Sequence, residues 1–397
     1  MNIKKKVKEF SGNLSLRDSG LVTRWLAMAS IRMALGKSSV PIRKEAAWEE
    51  EKQDILERAN WLCRKVIVEP KKLLEEMPKE LGPNYGGEWA IYSCSMLVFA
   101  LYNISRIYPD KKEICQREIK KIIPIIMSPE VMSYDTNAWH EDALSTLDGD
   151  KSHMTYLSIL AWAISNYLLA GGTSHDFDAT FDSCCEALHR RMLKSPDLNL
   201  MSFPNGIVFL PDMLVTLVAL TNYGKLRDDR YAATVKRWVD KARADWTDKK
   251  TGLLISLYSQ YRDSRRSPLR GSYSALNTSY LTLVDEDFAR EQYEILRRIF
   301  RQDGKLTGIR EYLNKSPKFY FDPDSGPVVK GLSPSGTAFA FGAVTYFDDW
   351  EFRSHLLRTA DIAGVTVKSH RTRHYRLGEI AIVGEATVLG MRTNVKL

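Results

Sequence analysis

Residues 153–170 read HMTYLSILAWAISNYLLA, and no side of this stretch, wound as a helix, is charged or strongly polar. A helix that is apolar all round has to be enclosed by protein. The segments on either side are of a different kind. Residues 111–126 (KKEICQREIKKIIPII) and 177–193 (FDATFDSCCEALHRRML) put apolar residues at helical spacing on one face and charges on the other. Such helices cover a core without lying inside it.

This alternation runs through the chain. Charged helices are expected over Glu45 to Val66, Lys111 to Ile126, Phe177 to Leu193, Arg230 to Trp246, Glu286 to Arg301 and Trp350 to Ala363. Apolar segments follow them from Gly87, His153, Val208, Ser272, Ser335 and Gly378. The six pairs recur about every 45 to 65 residues. An apolar helix cannot be buried by its own hairpin alone, so the hairpins must close into a ring or be capped. An open solenoid of helix pairs is the alternative, but no regular consensus recurs at a fixed period, so a closed ring is expected. The expected fold is all-α: an (α/α)6 toroid of inner apolar helices wrapped by outer amphipathic ones. Gly336, Ala338, Ala340, Gly342 and Ala343 would let inner neighbours approach closely. The sixth apolar segment, GEIAIVGEATVLGM from Gly378, is rich enough in Ile, Val and Gly to form strands instead.

The toroid is expected over residues 44–397. Residues 1–43 form an N-terminal amphipathic segment. Its stretch LVTRWLAMASIRMAL, from Leu21 to Leu35, is expected to dock on the chain's own core rather than on a membrane. No run of about 18 uninterrupted apolar residues marks a bilayer span.

The composition is that of a globular protein, with 44% hydrophobic and 27% charged residues. The net charge of +8 is scattered over helical faces, and no nucleic-acid-binding signature accompanies it. No nucleic-acid partner is therefore expected. The cysteines (Cys63, Cys94, Cys115, Cys184 and Cys185) are odd in number and form no CxxC pair. Reduced thiols in the cytoplasm, without zinc, are expected. No phosphate-binding loop, dinucleotide fingerprint or nucleophile elbow occurs, so no cofactor is expected.

Connections from outer to inner helices are long and rich in polar and aromatic residues, whereas the reverse ones, such as Ala170 to Thr173, are short. Long loops carry function more often than short ones. All the long ones should gather at the N-terminal ends of the inner helices, where helix dipoles favour anionic or polyhydroxyl ligands. The second connection holds Tyr134, Asp135, Trp139, His140, Glu141, Asp150, His153 and Tyr156. The fifth holds Tyr320, Asp322 and Asp324, within Phe319 to Pro327. Candidate catalytic residues are Asp135, His140, Asp150, His153, Asp322 and Asp324, because carboxyl and imidazole groups move protons. Candidate substrate-binding residues are Glu88, Trp89, Trp139, Tyr156, Asp212, Arg270, Tyr273 and Tyr320.

The whole pattern resembles the six-hairpin glycosidase-like superfamily. The stretch FDPDSGPVVKGLSPSGTAFAFGAV, residues 321–344, is similar to a segment of unsaturated-uronyl hydrolases in which a short acidic loop precedes a Ser/Thr-rich helix start. Those enzymes carry an acid before the Ser/Thr pair. Leu332 and Ser333 stand here, so no catalytic residue is carried over. The architecture also resembles the linalool dehydratase–isomerase type. The zinc ligands of lanthionine-synthetase and prenyltransferase toroids have no counterpart. These resemblances imply a hydrolase or lyase acting on a small-molecule or oligosaccharide ligand, acidic ones included. A lyase or isomerase of a small apolar or terpenoid alcohol, and a non-catalytic binding or scaffold protein, are the alternatives. Glycoside hydrolysis would require two carboxyls facing each other about 5 to 10 Å apart, for which Asp135 or Asp150 against Asp322 or Asp324 are the candidates.

Overall fold

The computed structural model describes residues 16–77, 83–260, 268–314, 319–322 and 325–396. Helix α1 spans Leu16–Leu35, α2 Trp48–Val66, α3 Pro70–Glu75 and α4 Pro83–Ile107. Next come α5 (Lys112–Ile126), α6 (Pro129–Trp139), α7 (Met154–Leu169) and α8 (His175–Lys194). Then follow β1 (Ile207–Phe209), α9 (Leu210–Leu226), α10 (Ala232–Asp245), β2 (Leu257–Ser259), α11 (Gly271–Leu281) and α12 (Glu286–Phe300). Strands β3 (Arg301–Gln302), β4 (Gly308–Arg310), β5 (Phe319–Asp322), β6 (Gly326–Val329) and β7 (Leu332–Ser333) lead into α13 (Pro334–Tyr346). The chain continues through α14 (Trp350–Gly364), the hairpin β8 (Thr366–Ser369) and β9 (Thr372–Tyr375), and α15 (Ile382–Arg392).

Helix α4 packs on α7, α7 on α9, α9 on α11, α11 on α13, α13 on α15, and α15 returns to α4. That is a closed ring of six. Outside it, α2 lies over α15 and α4, α5 over α4 and α7, and α8 over α7 and α9. Helix α10 covers α9, α12 covers α11 and α13, and α14 covers α13. The chain folds as an (α/α)6 toroid.

The inner and outer helices owe their places to their patterning. Every residue of α7 from Met154 to Leu168 is buried. In the outer α12 only Phe288, Ala289, Gln292, Tyr293, Leu296 and Phe300 are buried, one stripe along the helix. Three of the outer helices start on side-chain caps: Ser174, Asp285 and Asp349 accept from the backbone N–H of Phe177, Phe288 and Phe352. Each cap satisfies a donor that the first helical turn leaves free. Helix α4 contains a stretch, Gly86–Ile107, long and apolar enough to cross a bilayer by composition. It is a core helix here, most of it buried within the ring.

The sixth apolar segment is helical over Ile382–Arg392, not a strand. Its β-branched residues fill space between α13 and α4, and tertiary burial overrides their local preference. Buried ion pairs bind this last helix and α14 to α2. Arg353 reaches both carboxyl oxygens of Glu51, and Arg392 bonds to Glu51 and Asp54. Arg58 donates to Glu385 at 2.7 Å.

A five-stranded antiparallel sheet, in the order β3-β4-β7-β6-β5, is built from the connection before α13. Strands β1 and β2, from the connections before α9 and α11, pair antiparallel. Helix α1 lies against α14. Trp25 and Ala29 bury against Val365, and Trp25 Nε1 donates to Ala363 O at 2.6 Å.

Candidate active site at the mouth of the ring

Contacts between the starts of the inner helices show that these starts share one end of the toroid. Tyr92, in the third turn of α4, donates to Asp212 at the start of α9 at 2.8 Å. Thr155, at the start of α7, donates to the other Asp212 oxygen at 3.0 Å. Gly271 N, at the start of α11, donates to Glu311 O, just after β4, at 2.8 Å. The Ser333 cap of α13 lies in β7, which pairs with β4.

This end holds an acid–imidazole cluster. His153 is the N-cap residue of α7, with a left-handed backbone at φ 44° that few non-glycine residues adopt. Its ring is fully buried. Nδ1 lies 2.6 Å from Asp135 Oδ2 and Nε2 lies 3.2 Å from Glu141 Oε1. Trp139 packs beside the ring, 5.4 Å between centroids. Burial raises the Asp135 carboxyl above the usual carboxylate range, although His153 and Arg191 pull it back. Lys151, which donates to Glu141, holds that carboxyl below its ordinary value, His153 adding to the effect.

The connection that carries His153 is held in place by α8. Arg191 donates to the carbonyls of Thr146, Leu147, Gly149 and Ser152. A buried guanidinium thus satisfies backbone groups that a helix or sheet would otherwise pair.

Asp212 is the second centre. It sits in the first turn of α9, where the helix dipole favours a carboxylate. Burial nonetheless pushes its pKa up, against the lowering hydrogen bonds from Ser202, Tyr92 and Thr155. Tyr92 is itself held well above the usual phenol range, first by burial and then by the charges of Asp212, Tyr280 and Glu88. Tyr134 is raised too, by burial and then by Asp135, Glu88 and Asp212. Its hydroxyl has no hydrogen-bond partner among the described residues, nor does Trp139 Nε1. Three carboxyls from the starts of α4 and α9 and from α6, Glu88, Asp135 and Asp212, thus act electrostatically on one buried phenol.

The candidates divide as follows. Glu88, Trp89, Asp135, Trp139, His153 and Asp212 belong to this end of the ring, Glu88 and Trp89 partly exposed. Asp150 does not join them. It is exposed and paired with Lys194 of α8. His140 closes α6 in a left-handed conformation at φ 58° and faces solvent. Tyr156 is fully buried and donates to Ile126 O at 3.3 Å, a packing role between α7 and α5. Arg270 is engaged by Glu311 at 2.5 Å and Ser325 at 2.6 Å, with its guanidinium 4.9 Å from the Tyr273 ring. Tyr273 also approaches Phe209, at 6.0 Å, and Tyr320 stacks on Tyr312 at 6.3 Å. The Asp322 side chain and the whole of Asp324 lie outside the described residues, so the opposed pairs built on them do too.

Tyr134 to Trp139, expected as loop, form the end of helix α6, which Ser128 caps and Pro129 starts. Phe319–Asp322, with Gly326–Val329, form a strand pair rather than a free loop. Sequence reading missed Tyr92, Thr155 and Ser202 as site residues. The spacing of Glu88 and Tyr92, one helical turn apart in an otherwise apolar helix, was the available signal for the first of these.

Among the described residues no group of three or more His, Cys, Asp or Glu side chains is arranged to hold a metal ion. No family model matches the chain and no curated protein matches its sequence. Solved structures are similar to it at a distance. One is an unsaturated glucuronyl hydrolase from Bacillus sp. GL1, responsible for the degradation of glycosaminoglycan. It is 12% identical with a TM-score of 0.47, covering 75% of this chain and 84% of that one. Another is a family 76 glycoside hydrolase from a bovine Bacteroides thetaiotaomicron strain. It is 10% identical with a TM-score of 0.45, covering 77% of this chain and 68% of that one.

Proposed function

We propose that this protein is a carbohydrate-active enzyme, a hydrolase or lyase of a saccharide, with Asp212 as its proton-handling carboxyl. The observation that carries the reading is Asp212 itself: a buried acid with a raised pKa, held at both oxygens by Tyr92 and Thr155. An acid tuned upward by burial keeps its proton nearer neutral pH and can deliver it to a leaving oxygen. Tyr92 and Thr155 fix its orientation. The Asp135–His153 pair, at the cap of the neighbouring helix, is the proton acceptor. Partly exposed Trp89, Phe209 and Tyr273 offer aromatic faces suited to the apolar side of a sugar ring. The five free thiols fit a reducing, cytoplasmic compartment.

The test is a ligand and product screen on the wild type and Asp212→Asn. The panel contains neutral oligosaccharides, uronic-acid oligosaccharides and terpenoid alcohols. A ligand at a hundred times its dissociation constant adds about 2.7 kcal/mol of stability, an easily read thermal shift. Saccharide cleavage by the wild type, lost in Asp212→Asn while the thermal shift persists, supports the proposal. Turnover of an apolar alcohol alone replaces it with the isomerase reading. No response to any compound leaves the non-catalytic reading in its place.

A further inference from the structure

Helix α1 buries one edge and leaves another bare. Val22, Trp25 and Ala29 face inward. A second stripe, at helical spacing on another side, carries Arg24, Met28, Ile31 and Leu35, all exposed. Met28 is 39% exposed, Ile31 59% and Leu35 60%, and Ile42 shortly after the helix is 45% exposed. Only seven large apolar side chains are this exposed among the described residues, and these four fall in one short stretch. Scattered exposed apolar residues are ordinary, but a concentrated stripe marks a contact surface.

Within the segment that carries the stripe, the charge is of one sign. From Ser19 to Lys44 the sequence has no Asp or Glu, but it has Arg24, Arg32, Lys37, Arg43 and Lys44. Arg32 is engaged with Asp361 and Arg43 with Glu50. Arg24, Lys37 and Lys44 make no ion pair among the described residues and are exposed. A helix lying in a bilayer interface needs this combination: apolar side chains to enter the acyl boundary, and cations for anionic headgroups. A protein partner of the same chemistry would have to be apolar and acidic together.

We infer that the outward stripe Met28–Ile31–Leu35, with Ile42 and the flanking cations, docks the protein on an anionic lipid surface. The inward edge keeps α1 on α14 while the outward edge meets the membrane, so binding requires no unfolding of the ring.

The test is sedimentation of the full chain with vesicles of phosphatidylcholine and phosphatidylglycerol (3:1), and with phosphatidylcholine alone. The wild type is expected to bind the anionic vesicles at least about fivefold better, with a preference that falls as salt rises. Ile31→Glu with Leu35→Glu, both at exposed positions, is expected to lower binding at least about tenfold without moving the melting temperature. Lys249→Glu with Lys250→Glu, an exposed basic pair elsewhere, should leave binding within about twofold. The inference is overturned if the wild type stays in the supernatant, or if the lysine control costs as much as the apolar pair. It is equally overturned if the wild type is a dimer that the Ile31 and Leu35 changes dissociate, because a second copy then covers the stripe.

Discussion

The Tyr92 hydroxyl donates to Asp212 Oδ1 at 2.8 Å, joining the first inner helix to the third across the mouth of the ring. Thr155 holds the other oxygen from the second inner helix. Three inner helices thus meet at one carboxyl, and its protonation depends on all three.

Tyr92→Phe removes a hydrogen bond that lowers the Asp212 pKa while leaving its burial intact. The Asp212 pKa is expected to rise further, so the pH–rate profile on a cleaved saccharide should shift to higher pH on the limb that reports this acid. Asp212→Asn should lower turnover at least about 100-fold, the usual scale of a lost proton donor. An unshifted profile in Tyr92→Phe would separate Asp212 from the chemistry.

Asp135→Ala leaves the buried His153 Nδ1 without its partner and should cost about 1–3 kcal/mol in denaturant unfolding. Asp135→Asn, which keeps a hydrogen-bonding group there, should cost less. The folded-state pKa of Asp135 is raised, so the native state holds this proton more tightly than the unfolded chain. Its contribution is complete below the ordinary carboxylate value and is lost as pH rises through the raised one. Asp135→Asn should therefore flatten the stability–pH curve in that window, and an unchanged slope would refute the assignment.

Acid should weaken the seam between the ends of the ring. Burial alone would raise the Glu51 pKa, but Arg392 and Arg353 overcome it and lower it from 4.5 to about 2. Asp54 is driven down as well, by Arg392 and Arg58 acting against burial. With folded pKa values below unfolded ones, the stabilisation is complete above about pH 4.5 and is lost as pH falls toward about 2. The Glu51 share is on the order of 3 kcal/mol. Arg353→Ala leaves Glu51 short of a partner in a buried setting and should cost about 3–5 kcal/mol at neutral pH. Urea melts of both proteins at pH 7 and pH 3 check this. The variant's deficit should shrink at the lower pH.

Gly342 lies where α13 presses on α11 and α15. A Cβ there would stand 2.6 Å from Ser279 Cβ and 2.7 Å from Met391 Sδ. Gly342→Ala is expected to lower stability by about 1–3 kcal/mol through overpacking, despite the better helix propensity of alanine. A variant as stable as the wild type would mean that the α11–α13–α15 contact yields easily.

The sequence by itself determined the architecture, because the period and completeness of apolar patterning are local properties that dictate burial. Helix α7 could be read as an inner helix, and α12 as an outer one, from their residues alone. It also determined which end would be polar, since the chemically rich connections all precede inner helices. The sixth inner helix was ambiguous because its Ile and Val residues prefer strands, and only enclosure by α13 and α4 made it helical. The composition of the mouth was a tertiary matter. Asp135 and Asp150 look alike in the sequence, one beside Tyr134 and the other beside Lys151. Packing of α6 under α4 turned Asp135 toward His153, and Lys194 of α8 drew Asp150 to the outside. Tyr92 and Asp212 stand far apart along the chain, and no local pattern joins them. They meet because closing the ring brings the starts of its helices to one end, where burial then sets the proton affinity of the acid.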